Sequence, residues 1–502
     1  MSNYTKKAVI GAGTVAAMMY FSYFLGYVLR VAIARFGGPT SLGLVYSVIS
    51  LFGMFSLAMN FGLRAALLKY IPEFLATKKL GEIKGAIIFV MASTFILSAI
   101  VCGALMVFAD QVAYLAFPRN VPNPVDISYA ALLIRVYGIG VIFSSIIMVL
   151  KNCFNGFQEV RYFSSIEVVK SVISTALTII LLFMGMNEVA PLLGFTLTYV
   201  VFLPAIYAYL FIRKVFPEFF SIRTVLNKAL AVKLAGFGLN TTLIDVAGTV
   251  SGNIDTMVLT FYQGTFQSGL YNAAQPMTKL LTFVGPAITA IVFPMSSELW
   301  VTGKKEKLSR GLSMLYKYLL ISIFPVALIM LLFPDVILRT LFGKEFGEAG
   351  LVLGILTVGY VFQSFTWANS SALSGIGKPK DAGMIALAGS GVLLVLDFAL
   401  VPSYGMTGAG YANLAAFLTT FLLSTQRIKT YVPVHIPWKD FFSVGVAGAV
   451  ITGLSYSLIP FLGIWPRIFF TVAAGSLIYV GILFSTKSLV MEDIRHIVNR
   501  VK

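Results

Sequence analysis

Apolar runs of about 20 residues, the length a helix needs to cross a bilayer, recur along the whole chain with gaps of no more than about 22 residues. One such run could be a buried core helix. A succession joined only by short links leaves lipid as the solvent that fits. Residues are 58% hydrophobic and 11% charged, where soluble domains carry roughly 25% charged residues. A soluble protein of this composition has no way to cover its surface. The expected fold class is an all-α polytopic membrane protein with about fourteen transmembrane helices, from about 11–34 to about 466–486. The first run follows Lys6 and Lys7, exceeds a signal-peptide core and lacks a convincing cleavage site, so it is read as a retained helix.

The formal net charge of +17 would suit nucleic acid, but its distribution argues against that. With the N-terminus inside, 27 of the 37 Lys and Arg residues fall in or beside inner loops, 5 fall outside and 5 lie within spans. That bias predicts an even span count and cytoplasmic N- and C-termini in the cell membrane. Cys102 and Cys153 offer neither a disulfide framework nor metal spacing. His435 and His496 lie outside the spans, and no catalytic triad spacing appears. "GAG" at 11–13 and "GIGK" at 375–378 are not phosphate loops: neither follows a strand, and Pro379 stands where Ser or Thr is needed. No enzymatic chemistry, resident cofactor or metal is expected.

The chain repeats itself. "LGYVLRVAIARFGGPTSLGLVYS" (25–47) aligns with "SGNIDTMVLTFYQGTFQSGLYNA" (251–273) at an offset of 226. "FNGFQEVRYFSSIEVVKS" (154–171) aligns with "LSGIGKPKDAGMIALAGS" (373–390) at 219, and "GMNEVAPLLGFTLTYVVF" (185–202) with "GMTGAGYANLAAFLTTFL" (405–422) at 220. The pattern predicts an N-terminal six-helix lobe over 1–215 and a C-terminal one over 216–430. Two further helices and a basic cytoplasmic tail would occupy 431–502. Repeat-built transporters bind substrate between their repeats and rock about the site.

Four spans related by the repeat carry polar faces. Tyr20, Tyr23, Tyr27 and Arg30 share a face of the first; Tyr46, Ser50, Gly53, Asn60 and Arg64 share one of the second. Asp245, Gly248, Gly252 and Asp255 follow the seventh, and Asn272, Gln275, Lys279, Thr282, Pro286 and Thr289 the eighth. Serines, threonines and glycines of this kind also serve helix–helix adhesion. A charge near the bilayer centre costs about 2.5–3.5 kcal/mol on the gentlest scales. Arg30, Asp255 and Lys279 are therefore expected to face a wet cleft. Arg64, nearer the inner edge, could instead snorkel to headgroups. The expected substrate-facing set is Arg30, Arg64, Lys279, Asp255, Tyr23, Tyr27, Asn60 and Gln275. Asp255 would pair across the cleft with Arg30 or Lys279, or bind a coupling ion. Asp245, near Asn240 and Thr241, is the first choice for Na⁺ or H⁺ coupling. Pro286 is the expected hinge, since interior proline frees a carbonyl and bends a helix. Glu167 and Lys170 are read as a local pair, and Asp397 as a solvated residue near the outer end of its span.

The span count, the 6+6 repeat, "GLYNAAQ" opening the eighth span, and the turns "NGFQ" and "SGIGKP" resemble polysaccharide (O-antigen type) flippases. These belong to the multidrug/oligosaccharidyl-lipid/polysaccharide exporter superfamily. The resemblance implies transport of a glycan linked to lipid by phosphate or pyrophosphate, from the cytoplasmic to the outer leaflet, by alternating access. It also implies ion-gradient energy and cavity cations, for which Arg30, Arg64 and Lys279 are the positions here. The implied partners are the lipid-linked glycan, membrane lipid and glycosyltransferases or a polymerase of the same pathway, with no nucleic acid. The alternatives are a cation-coupled multidrug antiporter of the same superfamily, a lipid-II-type peptidoglycan precursor flippase, and a membrane-embedded glycan polymerase.

Overall fold

The computed structural model describes residues 3–117, 125–282, 285–435, 437–486 and 488, with side chains left aside at 3–16, 240, 241, 243–245, 286, 287 and 290. Among the described residues all regular structure is helical. In chain order the helices are α1 (Asn3–Asn60), α2 (Leu63–Ala76), α3 (Leu80–Val107), α4 (Ala109–Ala116), α5 (Ile127–Gly156), α6 (Val160–Phe183), α7 (Val189–Leu197) and α8 (Leu203–Leu210). Then come α9 (Lys228–Thr278), α10 (Gly285–Val301), α11 (Lys305–Leu332), α12 (Pro334–Leu341), α13 (Gly350–Gly375), α14 (Pro379–Tyr431), α15 (Trp438–Ser457) and α16 (Ile464–Ser485).

Three of these are pairs of helices joined at a glycine. The breaks are Gly38 in α1 (φ 71°, ψ −170°), Gly264 in α9 (φ 83°, ψ 178°) and Gly405 in α14 (φ 55°, ψ −137°). Positive φ with extended ψ is nearly closed to residues with a β-carbon. Each glycine lies where the sequence places a link between two spans. Among the described residues nine helices are long and apolar enough to cross a membrane. Two of them, Ala17–Asn60 and Pro379–Tyr431, contain such a break and, at about 1.5 Å per residue, have length for two crossings each. The chain is therefore a polytopic all-helical membrane protein.

Left-handed residues recur at the offsets of the sequence pairs. Gly38 and Gly264 are 226 apart, Gln158 and Gly377 are 219 apart, and Gly185 and Gly405 are 220 apart. The same backbone device thus stands at matching points of each aligned segment.

The structure groups into two units. The first holds Met1–Ala273, Leu341–Phe346 and Leu393–Ala409. Within it α1 packs on α6, α3 on α5, and α2 on both α3 and α5. Its core is aromatic: the fully buried Phe154 ring sits 6.0 Å from Tyr207 and 5.7 Å from Phe211. In lipid such contacts act through close packing, because the tails outside are equally apolar. The second unit holds Ala274–Thr340, Gly347–Val392 and Gly410–Lys502. There α13 packs on α10 and α11, and a buried polar knot joins Tyr316 to Asn369, whose amide donates to Ser424 at 3.0 Å and Thr425 at 3.1 Å. The Tyr479 hydroxyl of α16 donates to the Ile321 carbonyl of α11 at 2.9 Å.

The helix of the second span ends at Asn60; the backbone breaks at Phe61 (φ 43°) and Gly62 (φ 65°) and resumes as α2, with Arg64 its second residue. One expectation needs correction. Asp397 is not solvated: it is 0% exposed within α14.

Candidate functional site

The site is built in the first unit, where α1 crosses α9. Gly43 and Gly269 meet there with no side chain between them. A β-carbon on Gly43 would overlap the Thr265 carbonyl, and one on Gly269 the Pro39 carbonyl. Thr265 is the repeat equivalent of Pro39, so the crossing is reciprocal.

Residues sixteen apart straddle each glycine break. The Arg30 guanidinium lies 3.7 Å from the centre of the Tyr46 ring and donates to the Asn272 carbonyl at 2.6 Å. The equivalent positions 226 residues on are Thr256 and Asn272, and the Asn272 amide donates to the Thr256 hydroxyl at 3.0 Å. One residue earlier, the Tyr271 hydroxyl donates to the Asp255 carboxylate at 2.6 Å. Asp255 is 2% exposed, and the buried Asp397 carboxyl lies against it. A hydroxyl contact between Ser47 and Thr260 closes the layer.

Physically this is a cation with a prepared seat. A guanidinium on an aromatic face gains roughly 0.5–2 kcal/mol, more as water is removed. Arg30 spends a donor on a backbone carbonyl, a neutral acceptor that an anion can replace. Beside it, two carboxyls face each other. One proton or one small cation between them would relieve the like-charge repulsion.

Other expected site residues lie as follows. Tyr27 is half-buried beside Arg30, and Tyr23 is 49% exposed. The Asn60 carboxamide oxygen accepts from the Arg64 backbone amide at 3.3 Å. In the second unit Gln275 is buried and Lys279, exposed, opens a 3₁₀ turn, Lys279–Thr282. Pro286 is the second residue of α10. Its side chain, and those of Asp245, Asn240 and Thr241, lie outside the described residues. Glu167 and Lys170 pair, with Lys151 as a second partner. Among the described residues no three His, Cys, Asp or Glu side chains converge to hold a metal ion.

Sequence reasoning put Tyr46 and Asn272 on polar faces but did not join them to Arg30. It missed Tyr271 and took the buried Asp397 for a solvated residue. The offset of 226 carries the missing signal, since it maps Arg30 onto Thr256 and Tyr46 onto Asn272.

At the lysine-rich end of α2, the same unit is clasped again. The Lys233 ammonium donates to Glu73 at 2.8 Å and lies 4.4 Å from the Tyr70 ring; Lys69 lies 4.5 Å from the Phe237 ring. The hydrogen bond from Lys233 holds the Glu73 carboxyl below its usual range.

A model of the family described as "Polysaccharide biosynthesis protein" matches residues 9–300. The chain is 28% identical over 511 residues to "Uncharacterized membrane protein MJ1068" of Methanocaldococcus jannaschii, covering 99% of each. It is 21% identical to "Probable low-salt glycan biosynthesis flippase Agl15" of Haloferax volcanii, over 46% of this chain and 49% of that one. The solved structure "Lipid II flippase MurJ, inward closed conformation" matches with a TM-score of 0.68 at 16% identity, over 93% of this chain and 97% of its own. At that identity the likeness speaks for the fold alone.

Proposed function

The chain belongs to the polysaccharide biosynthesis protein family, and from that premise we propose that it is a flippase for a lipid-linked oligosaccharide or polysaccharide unit. The headgroup would pass from the cytoplasmic to the outer leaflet while the lipid tail stays in the bilayer. The observation that carries this reading is Arg30, seated on Tyr46 and hydrogen-bonded to the Asn272 carbonyl. A phosphate or pyrophosphate cannot cross hydrocarbon unaided, and the planar guanidinium fork matches its oxygens. The phosphate would take the donor that Asn272 now receives. The name of the Haloferax relative supports the same substrate class.

Two six-helix lobes moving about this site would give alternating access, with both termini cytoplasmic as the loop charges suggest. The Asp255–Asp397 carboxyl pair is the coupling site we favour, taking a proton or Na⁺. Glycosyltransferases or a polymerase of the same pathway would supply and consume the substrate.

The test is reconstitution into liposomes with a fluorescent sugar on a short isoprenyl diphosphate loaded in one leaflet. The expected result is loss of leaflet exchange in Arg30→Gln. Efflux of a cationic dye with no glycolipid exchange would overturn the reading in favour of a multidrug antiporter.

A further inference from the structure

Three charges on α5 and α6 have no part in the site above. Glu167 accepts from Lys151 of α5 at 2.5 Å and also from Lys170, one turn along α6. Lys151, Glu167 and Lys170 are only 21, 23 and 28% exposed. One carboxylate serves two ammonium groups, so the cluster carries an excess positive charge. Lys170 stands about 15 Å from the start of α6 at 1.5 Å per residue, well inside a helix apolar enough to span lipid.

The two lysines do different things. The Lys151–Glu167 pair ties α5 to α6. The Lys170–Glu167 pair lies within α6 and ties no two helices together. A structural bridge would need only the first, and a further cation at this depth is costly and marks ion or substrate pathways.

We propose that Lys151 and Lys170 form a second anion station for the phosphate of the translocated headgroup. Glu167 is its resident counterion and yields the ammonium groups when phosphate arrives. A phosphate offers more acceptor oxygens and more charge than one carboxylate. The proposal rests on the flippase reading and adds a binding step separate from Arg30.

The test uses the full chain in nanodiscs with three probes: farnesyl diphosphate, inorganic pyrophosphate and farnesol. Lys170→Met leaves the bridge between α5 and α6 in place, so its thermal midpoint should hold. Farnesyl diphosphate should then bind about tenfold to a hundredfold more weakly, the scale of a lost hydrogen bond to a charged group. Farnesol binding should not change. Glu167→Gln should bind the diphosphate more tightly, a sign that a purely structural triad does not give. Equal losses for pyrophosphate and farnesyl diphosphate mean that the station reads phosphate alone; a loss confined to farnesyl diphosphate means that it reads phosphate presented by its lipid. Both uphold the station. Unchanged farnesyl diphosphate affinity in Lys170→Met overturns it. If Arg30→Gln then still abolishes leaflet exchange, the flippase reading survives; if the unmodified protein exchanges no glycolipid, that reading fails as well.

Discussion

Gly43 of α1 and Gly269 of α9 pack backbone against backbone, and a β-carbon on either would overlap a carbonyl of the other helix. The contact repeats across the offset of 226, so each glycine is needed for the same reason. Backbone carbonyls cannot rotate away as a side chain can. Gly43→Ala and Gly269→Ala should each destabilise the protein by about 1–3 kcal/mol, as overpacking does. Thermal unfolding of the detergent-solubilised protein measures this. Gly248→Ala, where a β-carbon meets open space, is the control. A midpoint in Gly43→Ala no lower than the control's would contradict the reciprocal crossing.

Arg30 should be intolerant even of lysine. Lysine keeps the charge but loses the planar stack on Tyr46 and the forked donor set. Arg30→Lys should weaken binding of a prenyl diphosphate about fivefold to tenfold, and Arg30→Gln about a hundredfold. Tyr46→Leu should match Arg30→Lys, because it removes the other half of the stack. Isothermal titration measures all three. Equal affinities for Arg30→Lys and the unmodified protein would show that charge alone suffices.

The Glu73–Lys233 clasp gives a pH signature. Glu73 titrates below its usual value of 4.5 when paired, so its contribution to stability is complete above that value and is lost as pH falls through the lowered one. Lys233 titrates above its usual 10.5, so its contribution is complete below 10.5 and is lost as pH rises further. Glu73→Gln should therefore lower the unfolding midpoint slightly at pH 7, exposed pairs being weak. The difference from the unmodified protein should vanish once pH has fallen below the lowered Glu73 value. A difference that persists there would mean that Glu73 acts through packing instead of charge.

Much of this was legible in the sequence, for identifiable reasons. Long apolar runs admit few solutions in lipid, so the helical class followed directly. Gly38, Gly264 and Gly405 fall between the expected spans, and the positive φ at each shows why glycine stands at these links. The Phe61–Gly62 break between the second span and α2 was hidden, because apolar residues run on past it in the sequence. Asp397 was misjudged because depth was inferred from distance to the span's end, whereas its burial comes from a partner helix, α9. Lys151 escaped notice because its partner Glu167 already had a local explanation in Lys170.

Asp397 and Asp255 supply the sharpest test of energy coupling. Both carboxyls are buried, they lie against each other, and Tyr271 holds one of them by a hydrogen bond. Asparagine preserves shape but removes the acid. If the pair takes the coupling ion, Asp397→Asn should still exchange glycolipid between leaflets but should not respond to an imposed proton or Na⁺ gradient. Asp255→Asn should behave alike, with some loss of stability as Tyr271 trades a charged acceptor for a neutral one, about 1 kcal/mol. Asp245→Asn, on the same helix, is the informative comparison. Leaflet exchange measured in liposomes with and without each gradient separates them. A response retained in Asp397→Asn but lost in Asp245→Asn would move the coupling site about three turns along α9, at 3.6 residues per turn.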